Sequence, residues 1–228
     1  MKKAIILFSG GIDSSTVLAI AKQQGYACYA LTFDYGQRHN SEVNITKKLS
    51  QELGIIEHCI FPLNINAFGG SALTDTSIAV PEYSIENVSK ITTTYIPARN
   101  TIFLSIALAW AETLAVQDIF FGGCKADALG FPDCRLDYIK AFEHMANLST
   151  QSAVAGKKFI IHKPLINLSK AETIKLGIEL GVNYQQTITC YRANAQGEAC
   201  GYCESCGTRK QGFIEAGVAD VTRYATNT

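Results

Sequence analysis

One short string constrains this chain more than any other: Ser9-Gly10-Gly11-Ile12-Asp13-Ser14-Ser15, set directly behind the apolar run Ala4 to Phe8. An apolar run of that length, closed by glycines and followed by a helical segment from about Asp13 to Gln24, reads as buried parallel strand, tight turn and helix. In a parallel sheet such a turn sits at the carboxyl ends of the strands, where ligands bind. The glycines let the main chain come close to a ligand. Amide N–H groups, the helix N-terminus and the hydroxyls of Ser9, Ser14 and Ser15 can then converge on one anion. The same residues would also suit a plain helix cap, but the whole string behind an apolar strand favours a phosphate cradle. It is not a Walker loop, because no lysine follows the glycines, and it lacks the third glycine of the dinucleotide fingerprint. Asp13 places a carboxylate beside the phosphates, which is intelligible if it helps to hold Mg²⁺.

The rest of the chain repeats the alternation. Apolar runs at Ala27 to Phe33 and Ile55 to Phe61 flank a helix near Asn40 to Leu53. A helix from Arg99 to about Leu114, a strand from Asp118 to Phe121, a helix near Leu136 to Leu148 and a strand near Phe159 to Ile161 follow. Ser169 to Glu172 has capping-box spacing and opens a helix to about Leu180. A short helix is expected near Thr208 to Ala216. Between Pro62 and Tyr95 the pattern dissolves into Gly, Ser, Thr and Asn, as functional loops do. The expected fold is therefore α/β, a parallel-sheet sandwich with helices on both faces.

Cysteine usage marks off the tail. Cys190, Cys200, Cys203 and Cys206 fall within seventeen residues, four of the eight cysteines in 228 residues. Four soft thiolates at this spacing suit a closed tetrahedral Zn²⁺ site with no room for a catalytic water. An iron–sulfur cluster uses similar spacing and stays open as the rival. The expected division is a nucleotide-binding domain over 1–186 and a zinc-binding tail over 187–228 packed on it. No run reaches the ~20 apolar residues of a membrane helix, and the N-terminus does not read as a signal peptide. A cytoplasmic chain is expected. Twenty basic residues balance twenty acidic ones, so no long-range field gathers nucleic acid.

Ser9 to Ser15 resembles the motif of the PP-loop ATP pyrophosphatases, which split ATP between the α and β phosphates and transfer AMP to a substrate oxygen. Four further strings narrow the likeness: Thr32 to His39 (TFDYGQRH), Pro97 to Asn100 (PARN), Gly130 to Arg135 (GFPDCR), and Cys200 to Cys206 (CGYCESC). Together they are similar to the 7-cyano-7-deazaguanine synthase family of queuosine biosynthesis. The resemblance implies an adenine nucleotide alpha-hydrolase-like, Rossmann-like fold with a C-terminal zinc-binding appendage. It implies a ligase whose partners are ATP, 7-carboxy-7-deazaguanine and ammonium, acting through an adenylated carboxylate and then an adenylated amide, as a homodimer. With no length left for a glutaminase, free ammonium or a separate protein is expected to supply nitrogen.

Carried onto this chain, ATP with Mg²⁺ falls to Phe8, Ser9, Gly10, Gly11, Ile12, Asp13, Ser14, Ser15, Thr16, Val17 and Leu18. Catalysis falls to Asp13, Arg99, Asn100, Asp133, Arg135 and Lys170. Arg99 and Asn100 would meet a phosphate or carboxylate, Asp133 and Arg135 the deazaguanine edge and its carboxylate, and Lys170 the phosphates. Asp34 and His39 are candidates to touch ATP or substrate. The chain departs from the family pattern at Ala98, where Gly is usual, and at Ala128-Leu129 and Phe131, where an aromatic, a Ser and a Tyr are usual. A tRNA-thiolating PP-loop enzyme is the alternative, to be expected with a basic surface or an RNA-binding module. A nucleotide-holding regulator is the non-enzymatic one.

Overall fold

A computed structural model describes residues 1–38, 41–84, 92–125 and 127–226. Among these, five strands form one all-parallel sheet: β1 (Lys3–Leu7), β2 (Ala27–Asp34), β3 (Glu57–Pro62), β4 (Asp118–Phe120) and β5 (Ile160–His162), in the order β3-β2-β1-β4-β5. The helices are α1 (Ile12–Gln23), α2 (Ser41–Glu52), α3 (Arg99–Thr113), α4 (Asp127–Gly130), α5 (Leu136–Ser149), α6 (Gln151–Val154), α7 (Lys170–Glu179) and α8 (Glu204–Ala216).

Alternate strand residues point to opposite faces, so each strand feeds two cores. Ile5, Leu31, Ile119 and Ile161 pack under Leu104, Ala107 and Ala111 of α3 and Ile139 and Phe142 of α5. Ala4, Ile6, Ala30 and Phe120 pack on the other face under Val17, Leu18 and Ala21 of α1 and Leu49 of α2. The expected helix-covered parallel sheet is what forms.

β1 lies between β2 and β4, so the chain leaves β1 toward one edge and later returns on its other side. That reversal opens a crevice at the carboxyl ends of the strands. The loop after β4 closes against the start of α1, where a Cβ on Gly122 would stand 3.5 Å from the Ser14 amide nitrogen.

Two smaller clusters attach the tail. Ile12 of α1, Ile174 of α7, Tyr184 and Phe213 of α8 form one. Ala72, Val80, Ile188 and three of the clustered cysteines form the other. Arg209 is fully buried between them, donating to Thr187 Oγ1 at 3.0 Å and to the Tyr184 carbonyl at 2.8 Å. Helix α8 begins four residues earlier than its sequence pattern suggested, immediately after Cys203. The irregular stretch after β3 is pinned to the same region: Tyr83 N–H donates to the Tyr202 carbonyl, and Glu204 N–H to that of Pro81.

Candidate functional site

The chain turns from β1 into the N-terminus of α1 at Gly10. Its φ of 75° lies in the left-handed region that side chains resist. The Ile188 N–H donates to the Gly10 carbonyl at 3.1 Å, and a Cβ on Gly11 would stand 3.2 Å from Thr189 Cγ2. The start of the tail is thus laid along the phosphate loop. Ser9 Oγ and Ser14 Oγ are 3.2 Å apart.

The crevice above this loop is a cavity of about 340 Å³. Its floor is Phe8, Ser9, Gly11, Ile12, Asp13 and Ser14, with Gly122 and Gly123 beside them. Arg99, Asn100, Phe103 and Phe131 form one wall, Glu42 and Tyr35 another, and Thr189, Tyr191, Glu204 and Thr208 of the tail a third. Lys170 and Asp127 complete it.

Not every expected residue reaches this space. Thr16, Val17 and Leu18 turn into the interior and do not line the cavity. Thr16 Oγ1 bonds to the Ile12 carbonyl at 2.8 Å and to Tyr184 Oη at 2.7 Å, and Val17 and Leu18 belong to the core. Ser15 is buried away from the cavity floor, with an Oγ that has no hydrogen-bond partner among the described residues. Asp34 ends β2 and its carbonyl accepts from Leu63; it does not line the cavity. His39 lies outside the described residues, as does Asn40, the expected start of α2.

Asp133, expected at the substrate edge, is buried beside the cavity and does not line it, and its Oδ1 has no hydrogen-bond partner among the described residues. Its Oδ2 accepts the Asn100 N–H at 2.9 Å, so it satisfies one of the orphan amides at the start of α3. The reason lies at Ala98, the residue before α3, whose methyl offers no cap. Arg135 is exposed at the start of α5, its Nε directed at the Ala128 carbonyl, and it too stands outside the cavity. Of the departures from the family pattern, Phe131 lines the cavity and Leu129 is exposed.

Asp13 and Lys170 meet at the cavity floor: Lys170 Nζ is 2.8 and 2.6 Å from the two carboxylate oxygens. Helix α7 starts at Lys170 because Ser169 and Glu172 close a reciprocal capping box. Burial alone would lower the Lys170 ammonium, but Asp13, Cys124 and Asp127 together hold the lysine above its ordinary value. Burial pushes the Asp13 carboxyl up while Lys170 draws it back. Ligand atoms of Asp13, Asp127 and Cys124 lie within 4.8 Å of one another. Burial raises the Cys124 thiol to about 12, so the oxygen donors of that group are the two carboxylates.

The sulfurs of Cys190, Cys200, Cys203 and Cys206 also lie within 4.8 Å of one another, and none is in a disulfide. Cys190 and Cys203 sulfurs are 4.0 Å apart, and Cys200 and Cys206 sulfurs 3.9 Å. A tetrahedron with Zn–S bonds of 2.3 Å has edges of about 3.8 Å, so the donor set fits that metal. The amides of Arg192 and Cys200 donate to Cys190 Sγ at 3.2 Å each, as outer-shell partners of a thiolate do.

Sequence reasoning passed over Glu42, Asp127, Tyr191 and Glu204, all of which line the cavity. For Asp127 a signal was present: an acidic residue shortly after Gly122-Gly123 at the end of β4, the second strand at the crevice.

Residues 3–217 match the family described as "Queuosine biosynthesis protein QueC". Over 224 residues the chain is 57% identical to a 7-cyano-7-deazaguanine synthase from Cellvibrio japonicus, covering 98% of each chain. It is 54% identical over 223 residues to one from Stutzerimonas stutzeri, again covering 98% of each. Among solved structures, a 4-thiouridine synthetase in an RNA complex with bound ATP superposes with a TM-score of 0.52 at 18% identity, over 98% of this chain and 47% of that one. At that identity the likeness shows the fold alone.

Proposed function

The chain belongs to the queuosine biosynthesis QueC family, and from that premise we propose that it converts 7-carboxy-7-deazaguanine, ammonia and ATP to 7-cyano-7-deazaguanine. The observation that carries this reading is near-full-length identity above 50% with synthases of that name. The cavity supports it by bringing a glycine-turned phosphate loop and a buried-side arginine, Arg99, to one space.

In the first half-reaction a carboxylate oxygen of the substrate attacks the α-phosphorus of ATP and the bond to pyrophosphate breaks. The acyl adenylate gives its carbon a leaving group, AMP, which ammonia displaces to form the amide. A second ATP adenylates the amide oxygen, and loss of AMP with two N–H protons leaves the nitrile. The protein contributes position and charge neutralisation. Amides and hydroxyls of Ser9 to Ser14 hold the triphosphate. Lys170, released from Asp13, meets its oxygens. Arg99 orients the substrate carboxylate against the α-phosphorus, with Asn100 fixing the start of α3. Asp133 acts behind the wall, through Asn100.

Mg²⁺ accompanying ATP would be held by Asp13 and Asp127, since it takes one or two carboxylates together with phosphate oxygens; it supplies neutralisation of the triphosphate. Zn²⁺ would be held by the four cysteines as a structural ion. With residues 1–186 as the nucleotide domain and 187–228 as a zinc-bearing tail, the tail's part is to hold Thr189, Tyr191 and Glu204 against the cavity. We also read the working form as a cytoplasmic homodimer acting on small molecules, with no direct nucleic-acid partner. Balanced charge supports that last point, and no described helix is long and apolar enough to cross a membrane. No observation here favours thiolation of tRNA.

Incubation with ATP, the carboxy-deazaguanine and ammonium, followed by mass spectrometry of the base, tests the reading. The nitrile product supports it. Pyrophosphate release only when tRNA is added would replace it with thiolation.

A further inference from the structure

Four carboxylates line the cavity, and three have partners. Asp13 is held by Lys170, Asp127 accepts the Cys124 amide at 2.9 Å, and Glu204 accepts the Thr94 hydroxyl at 3.1 Å. Glu42, in the first turn of α2, has no hydrogen bond or ion pair among the described residues. Its charge is not idle, however. Arg99 acts on it from α3, and it in turn raises the Tyr35 hydroxyl on the segment after β2, yet no ion pair within 4.0 Å joins Glu42 to Arg99. Arg38, also at the rim, spends its guanidinium on the carbonyls of Asp75 and Ile78. An anion and a cation thus face one cavity without touching, and substrate atoms can lie between them.

Glu42 is half-buried, and a carboxylate drawn out of water without a partner is costly unless it is neutralised or meets a cation. Burial pushes the Glu42 carboxyl up to about 7, against the pull of Arg99. A group poised near neutrality suits proton transfer at working pH.

The reaction proposed above needs such a group. Nitrogen arrives mainly as ammonium, whose fourth proton must leave before the lone pair can attack carbon. We propose that Glu42 is the ammonium site and the general base for the nitrogen: it binds the cation opposite Arg99 and takes its fourth proton, freeing the lone pair that then forms the N–C bond. The carbon–oxygen bond to AMP then breaks with its electron pair, and the remaining excess N–H proton passes to water, so acyl adenylate plus ammonium gives amide, AMP and two protons. The role rests on the reaction assigned above, and the experiment separates the two.

Wild type, Glu42→Gln and Glu42→Asp are compared in two assays across pH: pyrophosphate release from ATP and the carboxy-deazaguanine without ammonium, and amide plus nitrile formation with ammonium varied. In Glu42→Gln, kcat/KM for ammonium falls by about a hundredfold near neutral pH, the scale of general-base catalysis. It then climbs about tenfold per pH unit, tracking free ammonia, because the variant must wait for it. Wild type and Glu42→Asp follow a flatter profile, and all three release pyrophosphate. A Glu42→Gln profile that matches wild type overturns the role. So does a loss of pyrophosphate release as large as the loss of amide, since Glu42 would then serve adenylation or folding. Wild type that releases no pyrophosphate from the carboxy-deazaguanine overturns the reaction itself, and the role of Glu42 with it.

Discussion

Lys170 and Asp13 lie 157 positions apart in the chain, yet the lysine ammonium spans both oxygens of the aspartate at 2.8 and 2.6 Å. The pair ties the first turn of α7 to the first turn of α1 at the floor of the nucleotide cavity. It also keeps a cation beside the phosphate loop.

Removing that lysine leaves a half-buried carboxylate alone next to the phosphates. Lys170→Met should lower stability by on the order of 2 kcal/mol, between the values for exposed and fully buried pairs. It should weaken ATP binding as well. Urea denaturation and nucleotide titration measure the two effects, and an unchanged ATP affinity would remove Lys170 from the phosphate site.

Arg99 borders the same space, its guanidinium 5.8 Å from the Phe103 ring centre. Loss of one charge-stabilising donor in an active site costs about a hundredfold or more in turnover. Arg99→Ala should show that loss in steady-state product formation while its denaturation curve stays close to wild type. Full activity would take Arg99 out of the site.

Ala98 holds φ at 54° before α3, a conformation that costs an L-residue about 1 kcal/mol or more and glycine little. Ala98→Gly should therefore raise the midpoint of thermal unfolding by about 2–4 °C, the scale for 1 kcal/mol in a chain of this size. A fall would mean that the alanine methyl contributes packing that outweighs the strain.

Helix α8 presses on Lys170 through Gly212, where an added Cβ would stand 2.6 Å from Lys170 Cγ and 3.0 Å from Ile174 Cδ1. Gly212→Ala should displace the lysine and depress turnover while metal content stays intact. Undiminished kcat would show that Lys170 keeps its place despite the methyl.

The four sulfurs predict a protein that purifies with one zinc ion per chain and no visible absorbance. Cys206→Ser should lose that zinc on elemental analysis and unfold more than about 5 °C lower. Iron in excess of zinc, with absorbance near 400 nm, would assign a cluster instead.

The sheet and its helices were legible because each strand and helix carries its own apolar period, and the phosphate loop because glycines and hydroxyls sit together in one string. The cysteine site was legible for the same reason: its ligands are neighbours in the chain. Glu42 was not, since an acidic residue in a first helical turn already satisfies the helix dipole and only the tertiary fold turns it toward the cavity. For Asp133 the string pointed to the substrate but not to the α3 amide that its Oδ2 accepts behind a residue that cannot cap. Thr16 to Leu18 follow the loop in sequence, but one turn of helix is enough to carry them into the core.

Transfer of AMP is the step on which the chemistry turns, and labelled oxygen tests it most directly. With ¹⁸O in both carboxylate oxygens of the 7-carboxy-7-deazaguanine, mass spectrometry after turnover should find the label in the phosphate of AMP, with pyrophosphate unlabelled. ADP with labelled orthophosphate, and no labelled AMP, would contradict it.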